Sequence, residues 1–191
     1  MNKALFVVNL QNDFCAGGAM EQIEGETIIP AINDLIPQFE IIVYARDWHP
    51  ENHCSFTADP KFTGRSWPVH CVANTHGADF HPELSFNLSA VIIDKGTQAD
   101  DESCSGFQDI NLAKNLRKLG ITSLFITGLT VEYSVKATAF DALKEGFTVY
   151  LVEDAIKGID SPPGTVAKVL TEMNQAGIKV IQSNQVANLL K

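Results

Sequence analysis

Apolar residues fall along this chain in two alternating rhythms. Six short runs are nearly continuous: 3–10 (KALFVVNL), 40–46 (EIIVYAR), 89–95 (SAVIIDK), 121–127 (ITSLFIT), 147–153 (FTVYLVE) and 178–182 (IKVIQ). None alternates inward and outward, which predicts strands covered on both faces, as in a parallel sheet. Between them lie helix-periodic segments at about 26–38, 109–119, 134–145 and 163–176, and a last helix at 183–190. In DINLAKNLRKLG, residues Ile110, Leu112, Ala113, Leu116 and Leu119 share one helical face, and Gly120 ends the helix. This βαβ rhythm predicts a doubly wound α/β sheet with right-handed crossovers.

Such a sheet binds ligands beyond the carboxyl ends of its strands. Asn9 ends the first strand, Asp47 follows the second, Lys95 ends the third and Ser134 follows the fourth. Four strands therefore deliver four polar residues to one edge. The rhythm breaks only at 47–88, which has no long periodic element but holds all 5 histidines, both tryptophans and four of the 8 prolines. A loop of that length inside a compact domain is usually functional.

Composition narrows the partners. The 191 residues predict one domain spanning 1–191, with 45% apolar residues, ordinary for a soluble globular protein. No apolar run reaches the roughly 18–20 residues that span a bilayer, so no membrane partner is expected. The N-terminal stretch reads as a first strand rather than a signal peptide. The net charge is −9, and the densest basic cluster is Lys114, Arg117 and Lys118 on one helix. No nucleic-acid partner is expected, because phosphate contacts need clustered basic residues. The cysteines, Cys15, Cys54, Cys71 and Cys104, form no C-x-x-C pair and suit a reducing cytoplasm.

RDWHPENHCSF places Asp47, His49 and His53 within seven residues, and SWPVH adds His70. Asp47 and His49 are two apart, so an extended backbone points both the same way. Imidazole and carboxylate suit Zn²⁺, Fe²⁺ or Mn²⁺. Three protein ligands would leave positions for water, the catalytic rather than the structural arrangement. The competing reading is a polar loop of surface histidines, and it is the only one that spacing offers for His76 and His81.

With these pieces assembled, the chain resembles the nicotinamidase/pyrazinamidase branch of the isochorismatase-like cysteine hydrolases. The resemblance runs almost end to end. It is carried by VVNLQNDF with GGA just after, RDWHPENHCSF, SWPVHCV with GADFHP downstream, DKGT, and GLTVEYSVKATAFDAL. It implies a three-layer αβα fold, with helices on both faces of a six-stranded, mainly parallel sheet. It also implies hydrolysis of nicotinamide, or a similar small aromatic amide, to the acid and ammonia through a cysteine thioester. One divalent metal ion, zinc first, would be held by Asp47, His49 and His70, with His53 as a further ligand. Lys95 matches the family lysine. Phe14 and Trp67 match the aromatic residues that sandwich the ring. The backbone N–H groups of Thr130 and Ser134 would form the oxyanion hole, beside a cis peptide at Leu129–Thr130. A homo-oligomer is left open.

Two positions depart from the pattern. Asn9 stands where the family has an aspartate, and Ser134 where it has the cysteine. A carboxamide cannot take up a proton as a carboxylate does. Serine depends on a base more than cysteine, which alone holds some anionic form near neutral pH. Three readings of Ser134 stay open: a helix N-cap, a nucleophile with a substitute base, or the replacement of a lost cysteine. Asp13 lies beyond the first strand, Asp94 should face away from Lys95, and Cys104 could take part only if its loop folded over the site. Without either of the family's two groups, impaired or absent hydrolysis is expected, and a non-catalytic binder of nicotinamide-like aromatics is the alternative.

Overall fold

All six apolar runs become strands of one sheet. The computed structural model describes residues 2–62, 64, 66–87, 90–102, 104–109 and 111–191, and of Gln22 the backbone alone. The strands are β1 (Lys3–Val8), β2 (Ile41–Asp47), β3 (Val91–Lys95), β4 (Ser123–Leu129), β5 (Thr148–Lys157) and β6 (Lys179–Ile181). Every neighbouring pair is parallel, in the order β3-β2-β1-β4-β5-β6. The sheet is thus wholly rather than mainly parallel. Strand order reverses direction at β1, so the crevice between the ends of β1 and β4 is the topological switch point.

β1 shows why continuous apolar runs were needed. Ala4, Phe6 and Val8 enter one core, while Leu5 and Val7 enter the other. Helices α2 (Leu112–Lys118), α3 (Lys136–Lys144) and α4 (Thr165–Gln175) cover the first core. Helices α1 (Ile29–Leu35) and α5 (Ser183–Leu189) cover the second.

The deviations have local causes. β1 stops at Val8 instead of residue 10, because Asn9 turns into the left-handed region with φ 55°. The segment at 26–38 is α1 flanked by single 3-10 turns, with Pro30 in its first turn and Pro37 at its end. Pro37 has no N–H to continue the ladder. Leu119 does not share the buried face: it is 55% exposed, because α2 ends at Lys118 and Leu119 is the cap beyond it. Gly120 then donates to the Arg117 carbonyl and Ile121 to that of Leu116, closing the helix in a Schellman motif. Ser89 of the third strand and Ile110 of the second helix, both named above, lie outside the described residues.

Candidate active site and metal centre

Asn9, Asp47, Lys95 and Ser134 meet at the carboxyl edge of the sheet, and all four are buried. Asp47 and Lys95 are the last residues of β2 and β3 and pair directly in register. Ser134 arrives from the other side of the switch point, on a π-helical turn, Val131–Val135, between β4 and α3. Its hydroxyl caps neither element. The N-cap reading of Ser134 therefore fails: the hydroxyl faces the crevice, where it meets side chains from two other strands.

Those partners form one network. Lys95 Nζ donates to Asp47 Oδ1 in a buried salt bridge, and to Ser134 Oγ at 3.1 Å. Asn9 Nδ2 donates to Asp47 Oδ2 at 2.8 Å and to Ser134 Oγ at 3.2 Å. The Asn9 amide is oriented by its neighbour, since turning it would set its oxygen against a carboxylate. Asn9 Oδ1 is buried and finds no partner among the described residues. Among the described residues, the side chains that meet the serine hydroxyl, Lys95 and Asn9, do so as donors. Neither is placed as an acceptor for its proton.

Asp47 also faces the histidines. One donor atom each from Asp47, His49 and His70 lie within 4.8 Å of one another, and all three residues are buried. His49 Nδ1 meets the Gly96 carbonyl at 2.9 Å, and His70 Nδ1 meets the Pro68 carbonyl at 2.8 Å. A carbonyl can only accept, so each Nδ1 carries the proton and both Nε2 lone pairs are left for an ion, with the carbonyl fixing the ring's tautomer and orientation. Burial pushes the His49 imidazole down to about 4, against the pull of Asp47, and lowers His70 as well. Neutral rings need lose no proton to bind a cation. Burial alone would raise the Asp47 carboxyl, but Lys95, His49 and His70 together outweigh it and hold it below its ordinary value. The residues present therefore fit a divalent ion.

His53 does not join that set. Its ring stacks on His49 with centroids 4.0 Å apart, and its nitrogens engage the Ser55 hydroxyl at 2.7 Å and the Asp101 carbonyl at 3.1 Å. With Cys54 N–H donating to the Ala99 carbonyl at 2.7 Å, it ties the loop after β3 to the loop after β2. That tie folds the β3–α2 loop over the site, and Glu102 and Cys104 line the cavity. Burial raises the Cys104 thiol, which disfavours the thiolate a nucleophile would need. Asp94 faces away, as its strand position predicts, and pairs with Arg46 at 2.6 Å. Asp13 is occupied by backbone, accepting from Cys71 N–H at 2.6 Å and Ala19 N–H at 3.2 Å.

Phe14, Trp67 and Thr130 line the same cavity as the metal and serine residues. Phe14 meets His70 edge-on at 5.7 Å, and Trp67 meets Tyr133 at 4.9 Å. The Leu129–Thr130 peptide is cis. The Leu129 side chain, by contrast, is wholly in the core and does not line the cavity. A strand-end leucine in a two-faced sheet packs inward, so its share of the site is backbone.

Sequence reasoning gave no role to Gln11, Tyr133 or Ile159. Gln11 is fully buried and clamps the Asp47 backbone: Nε2 donates to the Asp47 carbonyl at 2.7 Å and Oε1 accepts its N–H at 2.8 Å. Its place just past the first apolar run, two residues after Asn9, is the signal the sequence carries, and a glutamine buried there must satisfy both ends of its amide. Gly96 is a second hidden determinant. Its φ is +62°, and a Cβ there would lie 2.3 Å from His49 Cε1. Gly96→Ala should displace the ring and cut divalent-ion affinity by about 10–100-fold, the usual cost of damaging an outer-shell contact. Competition with a chromogenic chelator measures it.

Residues 3–185 match the isochorismatase domain family. The chain is 36% identical to the nicotinamidase of Escherichia coli (strain K12), with 92% of each chain covered. The solved pyrazinamidase of Pyrococcus horikoshii in complex with zinc superposes with a TM-score of 0.86 at 47% identity, covering 95% of this chain and 99% of that one. A yeast nicotinamidase bound to the inhibitor nicotinaldehyde gives 0.85 at 31% identity, covering 94% and 99%.

Proposed function

This chain belongs to the isochorismatase family, and we propose that within it the chain carries a nicotinamidase-type site that receives a small aromatic amide. The observation that carries the proposal is the shared cavity. Asp47, His49, His70, Ser134 and the aromatic residues Phe14 and Trp67 line it together at one strand edge, and Lys95 reaches Ser134 from the end of β3. Asp47, His49 and His70 would hold one divalent ion, zinc first, since the P. horikoshii relative is in complex with zinc. When bound, that ion supplies a Lewis-acid contact for a ring nitrogen and for water. Phe14 and Trp67 would flank the ring, in keeping with the nicotinaldehyde held by the yeast relative.

Lys95 and the backbone at Thr130 and Ser134 would hold the carboxamide oxygen, and Ser134 Oγ occupies the position of attack. The hydrolytic half of the site is weak for a stated reason. Ser134 Oγ accepts from Lys95 Nζ and Asn9 Nδ2, and an asparagine amide takes up no proton. That network favours a second reading, ligand binding with little or no turnover.

One experiment addresses both readings. Zinc-loaded protein is titrated with nicotinamide by calorimetry and then followed for ammonia release against a metal-stripped control. Binding at millimolar concentration or tighter is expected, with turnover far below that of a cysteine-bearing relative. No heat at millimolar ligand overturns the proposal. Turnover at a relative's rate would overturn the account of the weak half.

A further inference from the structure

Glu132 stands two residues before Ser134 in the same π-helical turn, yet its carboxylate is occupied by backbone. Its Oε1 accepts the Asp160 N–H at 2.6 Å, and its Oε2 accepts the Ile159 N–H at 3.2 Å. The approach is close: a Cβ at Gly158 would lie 2.5 Å from Glu132 Oε2. The far side of this loop is fixed too. Asp160, with φ 52°, accepts the Gly164 and Val166 N–H groups at 3.0 and 2.9 Å, at the start of α4. Between these two anchors sits Ile159, which lines the cavity together with Thr130, Tyr133 and Ser134.

We infer that Glu132 is a specificity-determining positioning residue, which holds the Gly158–Asp160 backbone so that Ile159 forms the wall limiting the size of the bound ring. The inference rests on the ring-binding reading above. A loop beyond a strand end has no ladder to fix it, and a carboxylate accepting two successive N–H groups supplies that constraint. Because the carboxylate and the nucleophile position share one turn, the distance from Ser134 to the Ile159 wall is set by a single short segment.

The test compares dissociation constants of the zinc-loaded protein for nicotinamide and for the larger quinoline-3-carboxamide. The variants are Glu132→Ala, Glu132→Gln, Ile159→Ala and the Glu132→Ala/Ile159→Ala pair. Glu132→Ala should move the preference toward the larger ring by roughly tenfold, the scale of one apolar pocket contact. Glu132→Gln keeps one acceptor and should move it less. In the Ile159→Ala background the Glu132 change should add nothing to the ratio, since residues acting through one contact are not additive. A merely structural role would lower both affinities and leave the ratio alone. An unchanged ratio in a folded Glu132→Ala protein overturns the inference, as does a full Glu132 effect persisting without Ile159. If Glu132→Ala fails to fold, Glu132→Gln with and without Ile159→Ala carries the same comparison. If the unaltered protein binds neither amide, the ring-binding reading falls and this inference falls with it.

Discussion

The double change Asn9→Asp with Ser134→Cys should raise nicotinamide hydrolysis by about 10⁴-fold or more, while either change alone gives far less. The scale comes from the serine-protease triad, where the Asp→Asn exchange costs roughly 10⁴ in kcat, about 5.4 kcal/mol of barrier. The geometry explains why the pair must act together. Asn9 Nδ2 lies 3.2 Å from Ser134 Oγ and 2.8 Å from Asp47 Oδ2. A carboxylate in that place puts an acceptor beside the nucleophile, where the asparagine presents a donor. A thiol then supplies a nucleophile that ionises near neutral pH, as a hydroxyl does not. Residues acting as a unit are strongly non-additive, so the single variants should not multiply to the pair. The new carboxylate would also face Asp47, and two carboxylates this close resist joint ionisation. The gain should therefore depend on a divalent ion at Asp47, which removes that conflict. Ammonia release by the four proteins, each with zinc and after chelation, measures both effects. No activity in the zinc-loaded pair would mean that some other part of the pocket is wrong.

Much of this could be read before any coordinates, because a parallel sheet writes itself into a sequence. Its strands are apolar on both sides, and its sites stand where those runs stop. Asn9, Asp47, Lys95 and Ser134 were legible for that reason. Partner choice was not. Nothing in the spacing says that Asp47 serves Lys95 and Asn9 as well as two histidines, because the contacts span up to 48 residues of sequence. His53 shows the same limit. The resemblance offers it as a further ligand, and in space it stacks on His49 while its nitrogens meet Ser55 and Asp101. Proximity along a loop fixes neighbourhood and leaves ring orientation to the tertiary fold. Glu132 was hidden for a related reason, since its partners, Ile159 and Asp160, are backbone N–H groups 27 and 28 residues away. Leu119 was misread at an edge, where one residue past the last helical turn separates a core position from a cap.

Removing the Asp47 carboxylate should damage the metal-free protein as much as it damages metal binding. The Lys95 side chain is 1% exposed, and Asp47 is its ion-pair partner. Breaking a buried pair from one side typically costs about 3–5 kcal/mol, because the remaining charge stays buried without compensation. Asp47→Ala should therefore lower unfolding stability by that amount in chelator and abolish binding of one divalent ion per chain. Asp47→Leu with Lys95→Met should recover most of the stability, since an apolar pair of similar volume can replace a buried ion pair at little net cost. It should not recover the ion, because the carboxylate ligand is still missing. The pH dependence has a definite sign. The folded Asp47 carboxyl lies below its ordinary value of 3.8, so its contribution is whole above that value and fades as pH falls through the lowered one. His49 falls from 6.5 to about 4 on burial, so the metal-free protein should begin losing stability on the acid side already near pH 6.5. Urea unfolding from pH 8 down to about pH 2, which spans the His49 window and the fall through the lowered Asp47 value, with elemental analysis of each variant, separates the two roles of Asp47. If Asp47→Ala loses the ion but keeps its stability, the carboxylate is a ligand only, and the buried pair with Lys95 is not what holds the ends of β2 and β3 together.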